Sequence, residues 1–320
     1  MNWSKPAVMY HSQSLAPSSL KEYNKHISQF LESCESQGLS VSKCNIQSLI
    51  CDFLISKAQH STRPESMLRS IVAALKHYSV AILSYDPIDD HMNRLIKGLI
   101  KAETERPRLR TNVMPIKPFM DLFSKWKCNE FLTIKDLRQK AITLLTLMAL
   151  CRPSDLVPTS ILKRSQLIFR ENGHLTITFF GIKNDAMREG FEVQISPAED
   201  IMIDPVSCLK QYIKQTNSYV SGTTGPLFIG IIPPYQQLSP TMISQILNQS
   251  IIDAGLNREL FSAKCFRPTG ASVLFNEGFS SDEIRRLGRW KSTDVMFDHY
   301  VSNKNESVTN TIAKSKQSFR

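Results

Sequence analysis

The chain has 320 residues, 42% of them hydrophobic and 21% charged, enough to bury a core in one large domain or in two of ordinary size. That composition excludes a disordered chain, and the longest apolar run, AITLLTLMALC (141–151), is too short to span a bilayer. A formal charge of +10 and a pI near 9.2 favour a polyanionic partner such as nucleic acid.

In chain order, the N-terminal MNWSKPAVMYHSQS lacks the basic-then-apolar pattern of a signal peptide, and a soluble intracellular protein without membrane contact is expected. Four amphipathic helices follow. The first starts at a Ser18-Ser19 cap, carries Leu20, Tyr23, Ile27, Phe30, Leu31 and Cys34 on one face, and stops at Gly38. Three more stripes run through Ile46–Leu54, Leu68–Tyr78 and Met92–Leu99, and four such helices with short connections make a small bundle.

The stretch ETERPRLRTNVMP (103–115) holds Arg106, Arg108, Arg110 and two prolines. It reads as a basic linker that can lie along a phosphate backbone. The expected division is therefore a helical domain over 1–105, a linker over 106–114 and a second domain over 115–320.

In the second domain, helical patterns cover Pro118–Trp126 and Asp136–Leu150. HLTITFFGIKND (174–185) and GFEVQIS (190–196) alternate apolar and polar residues around a polar turn, the pattern of a β-hairpin. Helices return over Pro205–Gln215, Pro240–Ala254, Ala263–Asn276, Ser281–Leu287 and Asp294–Tyr300. The fold class expected is mainly α with a small antiparallel β-sheet. Seven cysteines without a CxxC pair, and no histidine cluster, point away from a disulfide framework or zinc site.

Four segments carry possible chemistry. LMALCRPSDL (147–156) ends a buried helix at Arg152 and Asp155. The hairpin turn bears Lys183. KCFRPTGAS (264–272) sets Lys264 three residues before Arg267, on one helical face, so that both can reach one phosphate. LGRWKSTDVMFDHYV (287–301) leads to Tyr300. Singly, each has a plain structural reading: an Arg152–Asp155 ion pair, a solvated turn lysine, a helix-packing tyrosine.

Taken together and in this order, the segments resemble the boxes of the tyrosine recombinases, or phage-integrase-like site-specific recombinases. The LGRWK…HY form of the last segment looks more like recombinases of eukaryotic mobile elements than like typical bacterial integrases. The resemblance covers essentially the whole chain. It implies an N-terminal helical core-binding (SAM-like) bundle, an α+β catalytic domain, and a C-shaped clamp on double-stranded DNA. It further implies Tyr300 as nucleophile, Arg152 and Arg267 as phosphate clamps, Lys183 as the acid for the leaving 5′-oxygen, and Lys264 and Trp290 as further phosphate partners. Asp155, Arg289, Lys291 and His299 would support them. No metal and no cofactor are implied, and relatives suggest a homotetramer on paired DNA sites, in the nucleus of a eukaryote or the cytoplasm or nucleoid of a bacterium.

Three departures from the family pattern stand out. Lys264 replaces a histidine and loses an imidazole able to act as a base near neutral pH. Arg289 and Trp290 stand where many members have histidine. Trp290 also precedes Tyr300 by ten residues rather than nine; one extra residue turns a helix by about 100°, so a loop must absorb it or Lys291 takes the place. Two other readings stay open: a catalytically inactive, recombinase-derived DNA-binding protein, and a type IB topoisomerase, which shares the chemistry but relaxes supercoils as a monomer.

Overall fold

In the computed structural model the described residues are 15, 17–61, 64–104, 112–157, 162–181, 189–220, 222 and 224–299. The chain divides into two compact units, Met1–Leu109 and Arg110–Arg320. Among the described residues no helix is long and apolar enough to cross a membrane.

The first unit holds α1 (Pro17–Ser36), α2 (Ile46–Gln59), α3 (Pro64–Tyr78) and α4 (Asp90–Glu103), with a π turn over Ser79–Leu83 before α4. Each helix turns its apolar stripe inward. Phe30, Ile46, Ile50, Leu54, Leu68, Ile71, Leu75, Met92 and Ile96 form one core, in which Phe30 meets Phe53 edge-on at 5.5 Å. Helix α4 starts where the Asp89 carboxylate accepts the Met92 N–H at 2.8 Å, an ordinary N-cap. All four expected helices are present.

The second unit is built around α6 (Ile134–Met148), which follows α5 (Lys117–Ser124). Helix α6 is buried on every side from Leu137 to Leu147, because α7 (Pro205–Thr216), α8 (Pro240–Asp253) and α9 (Phe266–Asn276) all pack on it. Its polar side chains are therefore internal and must find partners. Lys140 donates to Asn129 Oδ1 at 2.8 Å, Gln139 to Asp253 at 2.6 Å, and Arg138 to the Ile229 carbonyl at 2.9 Å. Burial holds the Lys140 ammonium below the ordinary lysine pKa.

The sheet has three antiparallel strands in the order β1 (Leu167–Phe169), β2 (Leu175–Phe179), β3 (Phe191–Ile195). Strands β2 and β3 are the expected hairpin, with Ile177 opposite Val193. Strand β1 adds to that expectation, since three residues are too few to show an alternation. The turn bearing Lys183 lies outside the described residues, as do Arg106, Arg108, Arg110 and Tyr300. Met114, the last residue of the expected linker, is buried in the second unit, and its N–H donates to Thr269 Oγ1 at 2.9 Å. The chain closes with α10 (Ser281–Gly288) and α11 (Thr293–His299).

Gly270 fixes how closely α9 sits on α6. A Cβ there would lie 2.5 Å from the Leu147 carbonyl oxygen and 2.5 Å from a Leu150 methyl. Backbone cannot step aside as a side chain can, so Gly270→Ala is expected to cost about 1–3 kcal/mol by overpacking. Chemical denaturation of the two proteins measures it; an unchanged midpoint would mean that the two helices have room to separate without penalty.

Candidate active site

The site begins where α6 ends. Leu150 takes a left-handed backbone (φ 48°), which turns the chain out of the helix and leaves the Leu150 carbonyl as an acceptor for side chains. A leucine in this conformation costs roughly 1–2 kcal/mol, offset by complete burial of its side chain against Ala271, Ile284, Trp290 and Met296. Arg152 follows in extended conformation and opens a 3-10 turn over Pro153–Leu156. That turn is closed from both ends: the Asp155 N–H donates to the Arg152 carbonyl, and the Asp155 carboxylate accepts the Arg152 N–H, each at 2.9 Å.

The Asp155 carboxylate, 1% exposed, is the centre of the cluster. Its Oδ2 lies 3.4 Å from Arg289 Nη2, 3.7 Å from Arg267 Nη1 and 4.0 Å from Arg152 Nη1. The Leu150 carbonyl accepts from Arg267 Nη1 at 2.9 Å and from Arg289 Nη2 at 3.2 Å. Arg267 Nη2 also donates to the Gly288 carbonyl. Two of the guanidinium groups rest on aromatic faces as well, Arg267 on Trp290 at 4.2 Å and Arg289 on Phe179 at 4.7 Å. Three guanidinium groups thus face one carboxylate, leaving two positive charges in excess among the described residues, an environment suited to a phosphodiester.

The backbone explains how Arg289 enters this cluster. It ends α10 in the left-handed region (φ 57°), where glycine is usual, and its side chain turns inward to 3% exposure. Cys151, 3.7 Å from Arg289 Nη2, stays a thiol: burial pushes its pKa up to about 11, outweighing the adjacent cations.

The sequence-predicted residues therefore separate. Arg152, Asp155, Arg267 and Arg289 come together, with Trp290 beside them. Arg152 is the accessible cation, its side chain 23% exposed. Trp290, expected to offer its indole N–H to a phosphate, has its ring 3% exposed beneath Arg267 and covering Gly288. Lys264 sits in a 3-10 turn (Ala263–Cys265) that runs directly into α9, and it is exposed where Arg267 is buried. Lys291 is exposed in the segment between α10 and α11. Residues 290–292 of that segment are not helical, so an added residue there rotates nothing rigid. His299 ends α11 and its side chain lies outside the described residues. The Leu150 carbonyl and Phe179 join the site without having been expected in it. Only the paired phenylalanines just before the hairpin turn could have flagged Phe179.

The fold defined by these two units is that of the tyrosine recombinases. The integrase of transposon Tn1549, solved in complex with transposon right end DNA, superposes with a TM-score of 0.58 at 11% identity, over 91% of this chain and 92% of that one. The site-specific recombinase XerH, in a post-cleavage complex with a palindromic difH substrate, gives 0.53 at 15% identity, over 96% and 92%. A lambda integrase dimer bound to a COC′ core site gives 0.52 at 12%, over 92% of each chain. No family model matches the chain and no curated protein matches its sequence. What these proteins share with the chain at such identity is fold.

Proposed function

We propose that the chain is a site-specific DNA recombinase that cuts and rejoins DNA through a 3′-phosphotyrosine intermediate. The observation that carries this reading is the convergence of Arg152, Arg267 and Arg289 on one buried carboxylate at the end of α6, in a chain of recombinase fold.

The chemistry follows from the charges. When an oxygen nucleophile attacks a phosphodiester, negative charge builds on the non-bridging oxygens. Guanidinium groups held in advance by carbonyl and carboxylate partners can meet that charge without reorganising. The phenol of Tyr300 gives up its proton to solvent water and bonds to phosphorus, and the bond from phosphorus to the 5′-oxygen breaks. That 5′-oxygen leaves as a hydroxyl, with Lys183 as the proton donor. A 5′-hydroxyl from a second duplex reverses the step, displaces Tyr300 and restores the phosphodiester. Lys264, exposed near Arg267 in sequence, adds positive charge on the DNA side. Recombination of two sites in this manner calls for four copies, and a homotetramer on paired DNA is part of the proposal.

The test is a library of nicked suicide duplexes with randomised sequence at the scissile step, followed by denaturing gels. A covalent protein–DNA adduct is expected, and Tyr300→Phe should abolish it with duplex binding retained. Duplex binding with no adduct from any library member points to the non-catalytic relative instead. Adducts formed by a monomer that relaxes supercoils but exchanges no strands point to the topoisomerase.

A further inference from the structure

Arg289 is the most enclosed of the three clustered arginines. Its side chain is 0% exposed, against 4% for Arg267 and 23% for Arg152. On one side its guanidinium faces Asp155 and donates to the Leu150 carbonyl. On the other it lies 4.7 Å from the centre of the Phe179 ring. Phe179 is buried and is the last residue of β2, opposite Phe191, the first of β3. The Arg289 side chain therefore reaches from the arginine cluster to the base of the hairpin.

Successive residues of a strand face opposite sides of the sheet, and the two phenylalanines at this point make different contacts. Phe180, half-exposed, closes the hairpin on itself: a Cβ at Gly190 would fall 2.6 Å from its ring. Phe179 faces the core and lies under Arg289. The first contact holds the two strands to each other, and the second ties them to the arginine cluster. A ring face attracts a cation most strongly where water is excluded, and the planar guanidinium stacks on it in a fixed orientation. An aliphatic side chain at 179 would fill space without offering that face.

In sequence, Lys183 follows Phe179 by four residues. We infer that Phe179 is a positioning residue for the leaving-group step: its ring, held by Arg289, keeps the base of the hairpin in register with the arginine cluster. The proton donor carried by the turn then meets the 5′-oxygen of the phosphate that the arginines hold. The inference rests on the recombinase chemistry proposed above, with Lys183 as the acid. Misplacing a catalytic group by about 1 Å can cost roughly 10²-fold in rate. A loosened hairpin is therefore felt in proton transfer, while Arg152 and Arg267 keep their own partners.

The experiment uses the full chain and the duplex that the suicide library selects, made in two forms. One has the natural 5′-oxygen at the scissile step, and the other has sulfur in that bridging position. With sulfur, the Tyr300 oxygen bonds to phosphorus, the phosphorus–sulfur bond breaks and a thiolate leaves. A thiol titrates near ~8.5, so this group departs with little need of an acid. Phe179→Leu is expected to slow adduct formation on the oxygen duplex by roughly tenfold to a hundredfold, and on the sulfur duplex by no more than about twofold, against the 10²–10⁴ that a general acid supplies. Lys183→Ala should shift the ratio of the two rates the same way and further. That ratio, taken on one preparation, does not depend on how much of the protein is folded, so a destabilised variant still gives an answer. Phe191→Leu removes a ring from the opposite strand and should leave the ratio unchanged. Equal slowing of both duplexes by Phe179→Leu, no slowing of either, or the same shift of ratio in Phe191→Leu overturns the inference. So does an unshifted ratio in Lys183→Ala, which would take the acid out of the scheme. If the library yields no adduct with the unaltered chain, the recombinase reading itself fails and the role of Phe179 falls with it.

Discussion

Replacing Asp155 by alanine is expected to destabilise the second unit by roughly 3–5 kcal/mol, the usual consequence of removing one partner from a buried charge network. The carboxylate stands between Arg267 and Arg289, both 3% exposed, so neither cation can turn to water once it is gone. The same substitution removes the acceptor that closes the Arg152 turn. Asp155→Asn keeps a hydrogen-bond acceptor and loses only the charge, so its effect should be smaller. Urea denaturation of the three proteins gives the comparison. A loss below about 1 kcal/mol for Asp155→Ala, within the range of a solvated surface pair, would mean that the arginines do not depend on this carboxylate.

The second large effect separates two arginines that look equivalent in sequence. Arg267 donates to two backbone carbonyls, stacks on Trp290 and faces Asp155. Arg152 is partly exposed and its guanidinium is only 4.0 Å from Asp155. Arg152→Ala should therefore slow covalent adduct formation by about 10²–10³, the loss typical of one preorganised donor to a developing oxyanion, with denaturation nearly unchanged. Arg267→Ala should slow adduct formation at least as much and also lower stability. It takes the Arg267 donor from the Gly288 carbonyl and removes a buried partner of Asp155, the Leu150 carbonyl keeping only Arg289. A lysine at 267 keeps the charge but not the planar fork, and should rescue little. Equal stability of the Arg152 and Arg267 variants would contradict the division of roles drawn from their burial.

Much of the fold was legible because most helices here are one-sided. The stripes through Phe30, Ile50, Leu75 and Ile96 mark a periodic apolar face, and each becomes part of the core. Strand β1 escaped because its three residues are held by pairing with β2, a tertiary fact. The identities of Arg152, Asp155 and Arg267 were legible as a combination of separated boxes. Their geometry was not. The inward turn of Arg289 follows from a left-handed backbone at a non-glycine residue, which local propensity argues against and which burial of the side chain overrides. The stacking of Trp290 on Arg267 was hidden for a related reason: a tryptophan beside cations reads equally well as a donor or as a stacking surface, and only packing shows the contact. The spacing of Lys264 and Arg267 was legible, whereas their unequal burial was not: packing encloses Arg267 in α9 and leaves Lys264 exposed in the 3-10 turn before it.

The indole over Gly288 has a consequence for how this stretch of chain can vary. A Cβ at 288 would fall 1.7 Å from Trp290 Cζ3, so the ring occupies the volume that any other residue at 288 would need. Positions 288 and 290 behave as a single steric unit. A larger residue at the first is admissible only where the second gives up its aromatic ring, and with the ring goes the surface on which the Arg267 guanidinium lies.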